Sequence, residues 1–260
     1  MEIVIHDSVE DMARMAAGIF EDVLKTKENP VLGLATGSSP LPIYAELVRR
    51  HKEEGLSFAH AKSFTLDEYV GLPEGHPESY QQVIRNELTT LIDIPDTHVY
   101  SPDGGLDDIL TAGERYEAAI AGAGGIDVQL LGIGTDGHIA FNEPGSSLQS
   151  RTRVKTLTEQ TRIDNARFFD GLDEVPYHAI TQGLGTILDA KHLVLIAIGK
   201  SKAEAVVSMV EGGLAASCPA SVLQMHPRAT VFLDREAASF LKNYEYYNLV
   251  FERKPKWQTF

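Results

Sequence analysis

A doubly wound α/β fold, a mostly parallel sheet with helices on both faces, is what this sequence predicts. Three observations predict it. Short apolar runs alternate with helix-patterned stretches. Runs such as VQLLGIG and LVLIAIG are apolar at nearly every position, as in strands covered on both sides. No Pro/Gly linker, internal repeat or low-complexity tract divides the chain, so residues 1–260 read as one domain.

The elements follow in order. The first strand is expected over residues 2–5. A helix follows over 8–26, where Val9, Met12, Met15, Ala16, Ile19 and Phe20 fall on one face. Strand 31–35 leads into a helix over 40–54 with Pro40 in its first turn. Strand 63–66 precedes helices over 77–92 and 106–121. Strand 127–132, helix 160–169, strand 192–198, helix 201–211 and strand 230–233 complete the alternation. The stretches 71–80 and 141–154 read as functional loops. In such folds ligands sit beyond the carboxyl ends of the strands, so the chemical residues should follow strands.

Composition excludes several classes. A formal net charge of −14 repels nucleic acid and anionic lipid, so neither is an expected partner. An anionic substrate would need a local cluster of donors. The single cysteine, Cys218, forms no intrachain disulfide and reads as a small buried residue. The N-terminus reads as a strand and an amphipathic helix rather than a signal peptide, and no apolar stretch spans a bilayer. A cytoplasmic protein is expected.

Three post-strand segments carry chemistry. In the first, a buried strand ends in Thr36, Gly37, Ser38, Ser39 and Pro40. Backbone N–H groups and hydroxyls at a helix start can hold a phosphate, although a plain serine cap fits equally well. It is neither a Walker A loop nor a dinucleotide fingerprint. In the second, Asp67 and Glu68 follow a strand directly. Extended chain turns them to opposite sides, so at most one faces a given site. That one could be a base on carbon, or an acid capping a turn. In the third, Asp136, Gly137, His138 and Glu143 share a Gly-rich loop after an apolar strand. Carboxylates near an imidazole fix its tautomer and raise its basicity. One histidine without a second His or Cys at ligand spacing gives no metal set. Lys202, at a helix start after a strand, and Arg167 could complete an anion pocket; each alone reads as a solvated charge.

Together these segments resemble the glucosamine-6-phosphate deaminase family from about residue 30 to about 235. The blocks are ATGSSP, TLDEYVGLPEGHPESY, LLGIGTDGHIAFNEPGSSLQSRT, TRIDNARFF, GKSKAEAV and LQMHP. The resemblance implies a modified Rossmann-like fold and one catalytic domain, with a lid at about 155–180 and a C-terminal tail at about 242–260. It implies conversion of glucosamine 6-phosphate to fructose 6-phosphate and ammonia, with no metal, nicotinamide or pyridoxal. Asp67 would move a proton between carbons 2 and 1. His138, with Asp136 and Glu143, would open the pyranose ring. Thr36, Gly37, Ser38, Arg167 and Lys202 would hold the phosphate.

Some family members are hexamers activated by N-acetylglucosamine 6-phosphate, and others are monomers without activation. Ser146, Arg153, Lys155 and Thr156 match the activator positions, two cations and two hydroxyls expected on one surface, so a homo-oligomer and this activator are expected. A basic edge strand explains Arg153 and Lys155 equally well. Two other readings compete. A 6-phosphogluconolactonase shares the fold and a similar histidine loop, but lacks the DEYVGL and FNEP blocks. A sugar-phosphate-sensing domain would keep the phosphate loop and could lose the acids and histidine, all present here.

Overall fold

The computed structural model describes residues 1–255 and 257–260. Its strands are β1 (Glu2–Ile5), β2 (Val31–Leu34), β3 (Lys62–Thr65), β4 (Asp67–Tyr69), β5 (Val99–Tyr100), β6 (Val128–Leu131), β7 (Arg153–Thr156), β8 (His178–Thr181), β9 (Leu193–Ala197) and β10 (Ala229–Leu233). Its α-helices are α1 (Val9–Thr26), α2 (Leu41–Glu54), α3 (Tyr80–Glu87), α4 (Ile109–Gly122), α5 (Glu159–Asn165), α6 (Leu184–Leu188), α7 (Ala203–Val210) and α8 (Tyr244–Glu252).

A 7-stranded sheet runs in the order β1-β10-β9-β6-β2-β3-β5, with every pairing parallel. Every residue of β2, β6, β9 and β10 is buried. Both faces of the sheet are therefore covered, as the unbroken apolar runs predict. The chain winds outward from β2 through β3 to β5, then returns to place β6 on the other side of β2. The winding direction reverses between β2 and β6. There the loops that leave the two strands part and open a crevice.

Local sequence sets the helix ends. Ser8 caps α1 by accepting the Asp11 N–H, and the apolar face predicted for this helix buries Met12, Ala16, Ile19 and Phe20. At α2 no side-chain hydroxyl makes a cap hydrogen bond; the helix opens on Pro40 and ends at Gly55 in the left-handed region. The serine-cap alternative for the first loop is thus not what the chain adopts.

A second sheet departs from the sequence reading. Strands β4, β8 and β7 pair antiparallel in that order. β4 begins one residue after β3 ends, so Asp67 lies on a strand of its own rather than in a post-strand loop. The small sheet has its own apolar cluster of Tyr69, Phe141, Leu157, Val175 and Ala179, with Tyr80 and Phe169 packed against it. Much of the segment expected as a lid, 155–180, belongs to this sheet and to α5. The segment expected as a tail contains α8, which packs on β1, and Phe260, whose ring meets Phe232 and Phe251.

A tight crossing forms where the chain enters β7 and leaves β8. The Ser150 carbonyl accepts the Gly185 N–H at 2.9 Å, and the Ser150 hydroxyl accepts the Leu184 N–H at 3.0 Å. A methyl group on Gly183 would overlap that carbonyl. Gly183→Ala is therefore expected to destabilise the fold by roughly 1–3 kcal/mol. A urea midpoint equal to the parent's would show that the crossing yields.

Candidate active site

Most of the residues the sequence singled out lie in the segments that leave β2, β6 and β9. Beyond β2, Tyr44 of α2 fixes the exit of the strand: its hydroxyl accepts the Ala35 N–H at 3.0 Å and donates to the Ala35 carbonyl at 2.6 Å. Thr36 follows half-buried, and Gly37 and Ser38 are exposed in front of α2, with Gly37 at φ 104°.

Lys202 ends the turn before α7, and Arg167 lies in the turn after α5. Burial lowers the pKa of the Lys202 ammonium; Asp164 pulls it back up, Arg167 lowers it further, and Asp136 raises it again. Arg167, far away in sequence, thus acts on Lys202.

Beyond β6 the chain folds tightly. The Gly134 N–H donates to the His138 carbonyl at 2.9 Å, and the Gly137 N–H donates to the Gly134 carbonyl at 3.1 Å. A side chain on Gly134 would strike the His138 ring. Gly137 turns at φ 85° with the buried Cys218 sulfur packed against it. Ala140 is the one non-glycine residue at positive φ among the described residues, at 51°. Such a residue stores local strain, of order 1–3 kcal/mol, beside the imidazole.

The imidazole Nδ1 lies 2.7 Å from Asp136 Oδ1 and 3.7 Å from Glu143 Oε2. Burial pushes the Asp136 carboxyl up, but the His138 side chain outweighs it and holds Asp136 at about 2. Asp136 is then ionised at neutral pH and orients the ring. With Nδ1 turned to the carboxylates, Nε2 is the nitrogen left to meet a substrate. Glu143 is buried and accepts the Thr158 N–H at 3.1 Å, which ties it to the start of α5. Ligand atoms of Asp136, His138 and Glu143 lie within 4.8 Å of one another, so these three could also hold a cation.

Asp67 is buried on β4, opposite Thr181 of β8. Burial raises its pKa well above the usual carboxylate range; the charge of Glu68 raises it further, and the Phe141 backbone N–H offsets part. Glu68 points the other way and accepts the backbone N–H groups of Tyr69, Tyr80 and Gln81.

The activator candidates divide. The Ser146 hydroxyl is buried and donates to the Glu143 carbonyl at 2.7 Å. The Arg153 guanidinium donates to Asn142 Oδ1 at 2.7 Å. Both contacts are made to the loop that carries His138. Arg153 and Lys155 share one face of β7, an outer strand of its sheet, while Thr156 alternates to the more exposed face. The expected single surface of two cations and two hydroxyls thus lacks Thr156.

Asn142 and Tyr80 escaped the sequence reading. Asn142 is fully buried and donates to the Ile139 and Gln182 carbonyls at 3.1 and 2.8 Å. Its place between Phe141 and Glu143 was the available signal.

Comparison with known proteins places this geometry. Residues 6–232 match the family of glucosamine-6-phosphate isomerases/6-phosphogluconolactonase. The chain belongs to that family. It is 59% identical to the glucosamine-6-phosphate deaminase of Pseudarthrobacter chlorophenolicus over 99% of each chain. It is also 59% identical to that of Rhodococcus opacus over 100% of each. A solved structure described as a monomeric glucosamine-6-phosphate deaminase matches at 45% identity and TM-score 0.90, covering 92% of this chain and 99% of that one. The 6-phosphogluconolactonase of Trypanosoma cruzi matches at 23% identity and TM-score 0.72, covering 93% and 97%, which is a likeness of fold. No helix among the described residues is long and apolar enough to cross a membrane.

The burial of Asp67 has a consequence for stability. Its folded pKa lies above the ordinary 3.8, so the folded state binds this proton more tightly than the unfolded state does. Stability is therefore lost as pH rises from about 3.8 through the folded pKa. Asp67→Asn removes that loss. The variant is expected to melt above the parent at pH ~7, with the difference vanishing below the ordinary carboxylate range. Parallel stability curves across that range would contradict it.

Proposed function

We infer that this chain converts glucosamine 6-phosphate to fructose 6-phosphate and ammonia. The observation that carries the reading is full-length identity of 59% to two curated glucosamine-6-phosphate deaminases. The site chemistry supports it. A closed sugar has no acidic C–H next to the amine. His138 Nε2, with Nδ1 held by Asp136 and Glu143, takes the anomeric hydroxyl proton and delivers one to the ring oxygen. In the open aldehyde, the carbon bearing the amine becomes acidic. Asp67 takes that proton and returns it to carbon 1. The resulting imine adds water and loses ammonia.

Thr36, Gly37, Ser38, Arg167 and Lys202 anchor the phosphate, whose binding energy positions the reacting end. The segment 155–180 acts as a lid, linked to the catalytic loop where the Thr158 N–H meets Glu143. Offering glucosamine 6-phosphate and 6-phosphogluconolactone in separate coupled assays tests the activity. Ammonia release is expected from the first, and lactone hydrolysis without ammonia release would overturn the reading. Galactosamine 6-phosphate in the same assay reads epimer selectivity.

Lys202→Ala is expected to raise KM for glucosamine 6-phosphate far more than for glucosamine. A charged hydrogen bond of this kind is worth about 1.5–3 kcal/mol. Equal effects on both sugars would remove Lys202 from the phosphate site.

A second sugar phosphate, N-acetylglucosamine 6-phosphate, is proposed to bind through Ser146, Arg153 and Lys155 in an oligomer of up to six copies. The support is the link of Ser146 to Glu143 and of Arg153 to Asn142. The same hydrogen bonds favour a rival reading, in which these residues only brace the loop. Under the activator reading, substrate saturation is sigmoidal and becomes hyperbolic with the acetylated sugar phosphate. A monomer by light scattering, with hyperbolic kinetics indifferent to that compound, selects the brace.

A further inference from the structure

We propose that Glu68 is a positioning residue for the reaction base: a second buried carboxylate that pins β4 to the first turn of α3 and stands as a like charge beside Asp67. The inference rests on Asp67 being that base.

The geometry assigns the two acids separate work. Glu68 is only 7% exposed. Its Oε1 accepts the Tyr69 N–H at 2.8 Å and the Tyr80 N–H at 2.9 Å, and its Oε2 accepts the Gln81 N–H at 2.9 Å. All three partners are donors. Burial raises the Glu68 pKa, and the N–H groups of Gln81, Tyr80 and Tyr69 act against it, so the ionised form is the one these three contacts favour. The first turn of α3 supplies N–H groups without helical partners, and its dipole favours a negative charge. Ser79 takes the next one, the Gln82 N–H, at 3.2 Å. The chain between β4 and α3 is thereby closed onto the strand that carries Asp67.

The Tyr80 N–H is held by Glu68, and the Tyr80 hydroxyl donates to the Tyr69 hydroxyl at 3.3 Å. Losing the pin would loosen Asp67 and the start of α3 together.

The like charge has few competitors. The titratable groups that act on Asp67 or feel its charge are Glu68 and Tyr69 of β4, Tyr80 of α3 and Tyr116 of α4. His76 acts on Glu68, and β8 sets the uncharged Thr181 opposite Asp67. None of the groups named as facing Asp67 is cationic. A neighbouring anion makes a carboxylate a stronger base, and base strength governs the rate of carbon-bound proton transfer.

The test follows the Asp67 carboxyl by carbon-13 NMR in the full-length protein, with its resonance assigned through Asp67→Asn. In Glu68→Gln the Asp67 midpoint is expected at lower pH. The acid limb of kcat/KM should follow it, and the plateau kcat should fall by roughly 3–10-fold as the base weakens. Glu68→Asp keeps the charge on a shorter arm. There the midpoint should stay with the parent while Tm falls and KM rises. Lowered Tm in both variants with neither midpoint nor acid limb moved would leave Glu68 a structural anchor and overturn the proposal. A fallen midpoint in Glu68→Asp would overturn it too, even if Glu68→Gln does not fold. A midpoint that falls in Glu68→Gln while the acid limb stays would overturn Asp67 as the base instead.

Discussion

An extended strand turns consecutive side chains to opposite faces, and the reacting site depends on that alternation at β4. Two neighbouring carboxylates in one cavity would repel, and one would stay protonated. Here Glu68 turns to three backbone N–H groups, and Asp67 turns to a buried space that gives it few donors. Burial then makes Asp67 reluctant to ionise, which stabilises nothing but equips it to accept a proton. The chain can tolerate this because the strand is paired with β8 and backed by a separate apolar cluster around Tyr69 and Phe141.

The large sheet supplies the rest by topology. Reversal of strand order between β2 and β6 parts two loops that would otherwise run side by side. One carries hydroxyls and backbone N–H groups, the other an imidazole with two carboxylates. α7, entered from β9, brings Lys202 to the same end, and the turn after α5 brings Arg167.

Much of this was legible from residues alone. Apolar runs in β2, β6, β9 and β10 announced strands covered on both faces, and the post-strand loops announced the site. β5, β4 and β8 were not legible. β5 and β4 are only two and three residues long, β8 has just Ala179 and Ile180 between polar ends, and β4 begins so soon after β3 that Asp67 reads as a loop acid. α8 was missed because apolar residues stand on all its sides: Tyr244, Tyr247 and Phe251 pack against the core while Tyr246, Leu249 and Val250 are exposed. Thr156 was grouped with Arg153 and Lys155 by resemblance to the family's activator positions, although a period of two sends it to the other face. The work of Glu68 could not be read at all, since its partners are backbone N–H groups that leave no mark on the sequence. Convergence of Arg167 with Lys202 likewise depends on pairing among strands distant in the chain.

The central claim is that Asp67 moves the carbon-2 proton of an amino-sugar phosphate, and isotope transfer tests it most directly. Glucosamine 6-phosphate deuterated at carbon 2 is turned over, and the label is followed by NMR in sugar and water. The parent protein should pass deuterium to carbon 1 of the product or release it to water as ammonia forms. Asp67→Asn should bind the same sugar phosphate and leave the label on carbon 2. Loss of deuterium from carbon 2 at the parent's rate in the Asp67→Asn variant would contradict the assignment and move the base elsewhere.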